Sequence, residues 1–290
     1  MSIRAREKVE LPGSAARIRS FAEGCSPLSL SAHRVAPSLR TSIWASLETE
    51  LDAWAAAGRT ARFWWRDDDA IQPSAALDRL LVLAGTAPLA LAVIPDRATG
   101  ELARRIANID QVTVLQHGIA HRNHAPPAAK KAELGAGRPP ATLARALAAA
   151  RRRLEALFGA QFRPVLVPPW NRIADDLIPL LSHAGFIGLS TAGPCPAGGA
   201  PGLRQVNSHI DPIDWRGTRQ CRPTDELVAE TVRRLAERRL DPATDTGPLG
   251  LLTHHLLDDG AAERFAADFA SLVRTHPAAA WTSAQEIWPA

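Results

Sequence analysis

The sequence is poor in thiols and has no long apolar run: it holds three cysteines, one methionine and no tyrosine in 290 residues. Cys25, Cys195 and Cys221 are too few and too scattered for a disulfide framework or a four-thiolate zinc site, and a reducing compartment is the simplest setting for them. No stretch approaches the ~20 apolar residues of a membrane-spanning helix, so a membrane partner is excluded. No continuous apolar signal segment opens the chain either, which gives a cytoplasmic location as the expectation. A surplus of charge is also missing from the body of the protein. The net charge of +4 sits in residues 1–40, where Arg4, Arg6, Lys8, Arg17, Arg19, Arg34 and Arg40 outnumber Glu7, Glu10 and Glu23. Beyond residue 40 basic and acidic residues balance, so nothing tracks a phosphate backbone and nucleic acid is not a partner.

What is present is a large apolar fraction, 46% of the residues, enough for one large α/β domain. Residues 1–40 lack apolar periodicity and read as a disordered extension, dispensable for folding. The domain then spans 41–290. A helix is expected over 43–57, where Trp44, Leu47, Leu51 and Trp54 recur at helical spacing before Gly58. From there strands alternate with helices. Strands are expected at 61–65, 89–94, 112–116, 164–167, 186–190, 204–209 and 249–253. Helices are expected at 75–84, 99–109, 141–158, 173–184, 224–238 and 261–275, with a Pro/Gly loop at 194–202. The strands are apolar throughout, as in a parallel sheet buried on both faces, and seven β/α units without a linker favour a single barrel. In such barrels the chemistry sits just past the strands' C-terminal ends.

Five polar clusters stand at those places. Trp64-Trp65-Arg66-Asp67-Asp68-Asp69-Ala70 ends the first strand with three successive carboxylates, whose repulsion needs an offset. A solvated turn would provide it, and so would a metal cation, since carboxylate oxygens are hard ligands. Past the third strand, Gln116-His117-Gly118-Ile119-Ala120-His121 spaces two imidazoles four apart, as on one face of a helical turn. His124 reads as a loop residue and His183 as structural. Val167-Pro168-Pro169-Trp170-Asn171 follows the fourth strand as a rigid turn that can aim one peptide N–H at an oxyanion. His209-Ile210-Asp211-Pro212-Ile213-Asp214-Trp215 follows the sixth strand, and Leu251-Leu252-Thr253-His254-His255 closes the seventh.

In this order, the five segments resemble the motifs of the polysaccharide deacetylase family, the NodB-homology carbohydrate esterases. The resemblance covers roughly residues 60 to 275 by motif placement. It implies a single-domain α/β fold, a distorted (β/α)7 barrel, with one divalent metal ion, most often Zn2+, held by Asp69, His117 and His121. It gives Asp68 the role of general base, His254 that of general acid, and Trp170 that of oxyanion-facing N–H. Asp214 and Trp215 match the fourth motif, which supports the site and lines the acyl pocket; Arg66, Asp67, Pro169 and Asn171 complete the pocket or support it. The implied activity is metal-dependent removal of an acyl group, acetyl above all, from an amino sugar or a small acylated metabolite. Three departures stand out. Val167 replaces the third-motif arginine that pairs with the base, a loss Arg66 is placed to offset; Asp67 leaves the register of the Asp run open by one residue; and Gly118 replaces a small hydroxyl residue. Two further readings share these residues: hydrolysis of another non-peptide C–N bond, as in allantoinase-like relatives, and a non-catalytic carbohydrate-binding barrel.

Overall fold

The chain's apolar strands assemble in a parallel sheet, as their lack of alternation requires. In this computed structural model, residues 37–195, 199–200, 202–244, 247–257 and 259–289 are described. Most of the 1–40 extension therefore lies outside the described residues. Helix α1 (Pro37–Ala56) precedes strand β1 (Ala61–Ala70), helix α2 (Ala75–Ala84), β2 (Leu89–Val93), α3 (Gly100–Ile106) and β3 (Val112–His117). There follow α4 (Pro140–Phe158), β4 (Phe162–Val167), β5 (Gly188–Leu189), β6 (Arg204–Gln205), α5 (Thr224–Leu240), β7 (Leu249–Thr253), α6 (Gly260–Thr275), β8 (Ala279–Trp281) and α7 (Ala284–Ile287). The sheet order is β6-β5-β4-β3-β2-β1-β7, every pair parallel, and β8 adds to the first residues of β1.

The two ends of this sheet meet along a seam without a regular ladder. Past β6, Ile210 bridges Leu251, His209 N–H and Ile210 N–H both donate to Gly250 O, and Leu252 N–H donates to Ile210 O. The result is a distorted (β/α)7 barrel in one domain. Alternate residues of β1 divide its two faces. Phe63 and Trp65 join the layer between sheet and helices, with Phe265 and Phe269 of α6. Trp64 points inward among Ala90, Leu115, Val165 and Val167. A Cβ at Gly250 would lie 2.5 Å from the Trp64 indole nitrogen, so only glycine lets the seam close on this ring.

Four expectations are corrected. The helix expected over 173–184 is a set of turns with one short 3-10 segment, Ile178–Leu180. Pro179 explains it, because it lacks an N–H and its ring collides with the carbonyl four residues back. The strands expected at 186–190 and 204–209 shrink to two residues each, the remainder joined by scattered hydrogen bonds and isolated bridges. The first strand does not end at residue 65 but runs through the carboxylates to Ala70. Strand β8, too short for periodicity to register, was not anticipated. Among the described residues, no helix is long and apolar enough to cross a membrane.

Candidate active site

Each carboxylate of the Asp67–Asp69 run has its own counter-group, and this allows three adjacent acids to sit at a buried strand end. Arg66 and Asp68 share the inward face of β1. The Arg66 guanidinium is fully buried and meets Asp68 with two contacts, Nε to Oδ1 at 2.9 Å and Nη2 to Oδ2 at 3.1 Å. It also donates from Nη2 to Asn171 Oδ1 (2.7 Å) and from Nη1 to Ser190 Oγ (2.8 Å). Asp67 faces the opposite way and accepts from the hydroxyl of Thr253 (2.7 Å), the N–H of His255 (3.0 Å) and the His255 imidazole Nδ1. Asp69 lies within a shift in register between β1 and β2, between Asp67 and Ala70, and takes a left-handed backbone, φ 73°.

That turn aims Asp69 at two imidazoles. Its Oδ1 lies 3.2 Å from Nε2 of His117 and 3.2 Å from Nε2 of His121. The histidines do not share a helical turn, as their spacing suggests: His117 is the last residue of β3 and His121 lies in an irregular loop with φ 56°. Gly118 makes the reversal (φ 59°); a Cβ there would lie 2.1 Å from Glu133 Oε2 and 2.5 Å from Pro169 Cδ, leaving no room for a hydroxyl residue. Glu133, between Ala132 and Leu134 with no motif around it, is buried and organises this loop. Its carboxylate accepts from the N–H groups of Ile119 (2.8 Å), Ala120 (2.8 Å) and Arg122 (3.2 Å).

Burial pushes the Asp69 carboxyl upward, but the adjacent His117 imidazole, and with it His121, overcomes this and holds it below the usual carboxylate range. Burial likewise opposes the charged form of His117, and Asp68 and Asp69 outweigh it, raising the imidazole. Burial dominates at His121 and lowers it.

The donor set suits a divalent cation. One carboxylate oxygen and two imidazole nitrogens lie within 4.8 Å of one another. Donors bound tetrahedrally to zinc at 2.0–2.2 Å stand about 3.3–3.6 Å apart, close to the 3.2 Å from Asp69 Oδ1 to each imidazole. His117 Nδ1 lies 3.0 Å from Val167 O, so Nε2 is free to face the ion, the orientation that an outer carbonyl gives a metal-binding histidine. Asp69 Oδ1 is buried without a hydrogen-bond donor.

The remaining candidate residues stand around this donor set. After β4, Pro169 is buried and Trp170 and Asn171 both take left-handed backbones, φ 56° and 55°. The Trp170 ring lies 4.3 Å from that of His121. Of five non-glycine residues with positive φ among the described residues, four (Asp69, His121, Trp170, Asn171) surround this one place, where strain is commonly retained for function. His254 follows β7, packed edge-on against Trp215 at 4.7 Å, with Nδ1 buried and unpartnered. The fourth segment departs from the expected division of labour. Asp214 turns into its own loop and accepts from the N–H groups of Arg216 (3.2 Å), Gly217 (3.0 Å) and Thr218 (3.1 Å), which lower its pKa. Asp211 takes its place at the mouth. It accepts from the Trp215 indole (2.7 Å) and Ile213 N–H (3.0 Å), burial raises its pKa, and it feels the charge of His254. His124 is an exposed loop residue.

No family model matches the chain, and no curated protein matches it. Among solved structures, the fold is similar to that of a candidate polysaccharide deacetylase from Mycobacterium smegmatis, with a TM-score of 0.54 at 18% identity over 78% of this chain and 87% of that one. It is also similar to a mutant CE4 family pseudoenzyme with restored enzymatic activity, with a TM-score of 0.51 at 14% identity over 79% of this chain and 68% of that one. At such identities the likeness is one of fold.

Proposed function

We propose that this protein is a metal-dependent hydrolase that removes an acyl group, acetyl above all, from an amino sugar or a similar acylated substrate. One observation carries the proposal. At one mouth, Asp69, His117 and His121 bring three donor atoms together, and beside them Asp68 is held by a buried arginine. The fold it shares with the Mycobacterium smegmatis candidate polysaccharide deacetylase is in keeping with this reading.

Asp69, His117 and His121 would hold the cation, zinc being the best match to one oxygen and two nitrogens. When bound, such an ion supplies Lewis acidity toward the acyl oxygen and lowers the pKa of a nearby water. Asp68 then accepts the proton of the attacking water, its carboxylate fixed at both oxygens by Arg66. The guanidinium that the resemblance places at position 167 is thus supplied from within β1 itself. This favours a working enzyme over a sugar-binding barrel, because a buried arginine tied to the base has no evident use in a binding module. The left-handed turn at Trp170 sets the direction of its peptide N–H, the group the resemblance aims at the oxyanion. His254 protonates the departing amine, and Asp211 and Trp215 line its side of the pocket.

Metal analysis of the purified protein, followed by acetate release from a panel of acetylated sugars, tests the proposal. About one zinc per chain and acetate release lost on chelation are expected. Metal-free protein that gains no activity with zinc would reject the proposal, and ring opening without acetate would move it to the allantoinase-like class.

A further inference from the structure

We infer that Asp67, through His255, is a positioning residue that fixes where His254 stands. The inference goes deeper into the hydrolase reading and rests on it for its kinetic arm, though not for its spectroscopic one. Asp67 lies on the outward face of β1, in the apolar layer with Trp65, near Leu80 and Leu83 of α2 and Ala266 of α6. Both it and His255 are buried. Burying such a pair costs desolvation that well-packed apolar side chains would avoid, so stability does not account for it.

The bonding pattern does. Asp67 Oδ2 accepts from the Thr253 hydroxyl at 2.7 Å and from the His255 N–H at 3.0 Å, while Oδ1 meets the His255 Nδ1. Thr253 Oγ1 in turn accepts from the Trp65 indole at 2.9 Å. Residues 253 and 255 are therefore both tied to one carboxylate, and His254 is the residue between them. Leu257 N–H closes the turn on His254 O at 3.0 Å. The His254 ring has no hydrogen bond at Nδ1 and packs edge-on against Trp215, with Asp211 nearby. No bond to the ring Nδ1 fixes it, so the backbone on either side carries its placement, and Asp67 holds both sides. The same strand thus carries the base on its inward face and the anchor of the acid on its outward face, at adjacent positions.

Two variants test this in the full chain, Asp67→Asn and the apolar pair Asp67→Leu/His255→Leu. The second leaves no buried charge and is expected to fold even where the first does not. In the NMR spectrum, His254 ring protons are displaced by the Trp215 ring current and are assigned by their loss in His254→Ala. In both variants they should move back toward their free positions, with zinc content unchanged. Turnover of an acetamide substrate should fall about 10–100-fold, the usual effect of an outer partner, and at least about tenfold further than turnover of an activated ester, which barely needs its leaving group protonated. His254 signals that stay in place in the apolar pair, or equal losses on both substrates, overturn the inference. Wild-type protein with neither zinc nor acetate release would instead reject the hydrolase reading, and the ring shifts would still decide the role of Asp67.

Discussion

On the wall of the mouth that carries Asp69, His117 and His121, the groups behind the donor atoms are bonded, His117 to Val167 O, the loop to Glu133, Asp68 and Asn171 to Arg66, while Asp69 Oδ1 itself has no hydrogen-bond donor. Around His254 and His255 each ring keeps a buried nitrogen without a partner, and β7, laddered to β1 on one edge, meets the segment past β6 on the other through an isolated bridge. A donor set that must meet one ion gains from rigidity, since misplacing one ligand weakens all three bonds. In the proposed reaction His254 has one proton to deliver and no ion to share, so anchoring of its flanking backbone by Asp67 and an aromatic edge suffices. The contrast separates a preassembled half of the site from an adjustable one, and it can be broken or sharpened by experiment.

The largest expected effect lies on the rigid wall. Asp69→Ala or His117→Ala removes one of three donors and should weaken zinc binding by more than about 100-fold, beyond what loss of an outer partner costs. Chelator competition measures this, and retention of zinc by both variants would break the assignment of the wall. Next comes His254→Ala. It should keep zinc while acetamide turnover falls about 10²–10⁴-fold, with a smaller loss on an activated ester. An equal loss on the two substrates would show that His254 serves binding and not proton delivery.

How far the sequence reveals this contrast differs between the walls. Strand ends with polar clusters are local features, so the barrel and the grouping of Asp69 with His117 and His121 could be read from motif order. The means of convergence could not. The histidine pair looked helical by spacing, yet it meets through a glycine reversal braced by Glu133, an acid set between Ala132 and Leu134 with no local mark of its use. On the other wall, Asp211 and Asp214 are indistinguishable in sequence. Only the fold turns one toward Trp215 and the other into its own loop. Asp67 and His255 lie at opposite ends of the domain and pair because β1 and β7 are neighbours in the barrel. Periodicity carries no signal for such contacts, although Pro179 inside an expected helix was a visible warning.

A smaller effect is expected at Gly118. Gly118→Ala places a methyl at a positive φ and against Glu133 and Pro169, so loop and carboxylate must part. The strain should lower stability by about 1–3 kcal/mol and also weaken zinc binding, because His117 and His121 flank the reversal. Thermal melts with and without zinc measure both. A stability loss with zinc affinity intact would mean that the rigidity of this wall serves folding alone.

The smallest effect should appear at the seam behind the adjustable wall, under mild acid. His209 faces two donors, the Gly250 N–H at Nδ1 and Arg238 at Nε2, of which the neutral ring accepts one, and it stands where the strand-like segment past β6 meets β7. Burial, reinforced by Arg238 and Arg234, lowers its pKa from 6.5 to about 3. An opened seam therefore takes up a proton below pH 6.5 that the closed seam refuses until about pH 3. Linkage makes the closed form lose stability as pH falls through that window and regain it as pH rises. Amide exchange of Gly250, Ile210 and Leu252, corrected for the intrinsic pH dependence, should speed up between pH 7 and 4.5, while amides between β2 and β3 stay protected. His209→Gln, which keeps an acceptor but cannot charge, should abolish the difference. Equal acid sensitivity of the two regions, or a seam that responds to pH without His209, would show that the looseness of this wall does not rest on a histidine buried in its neutral form.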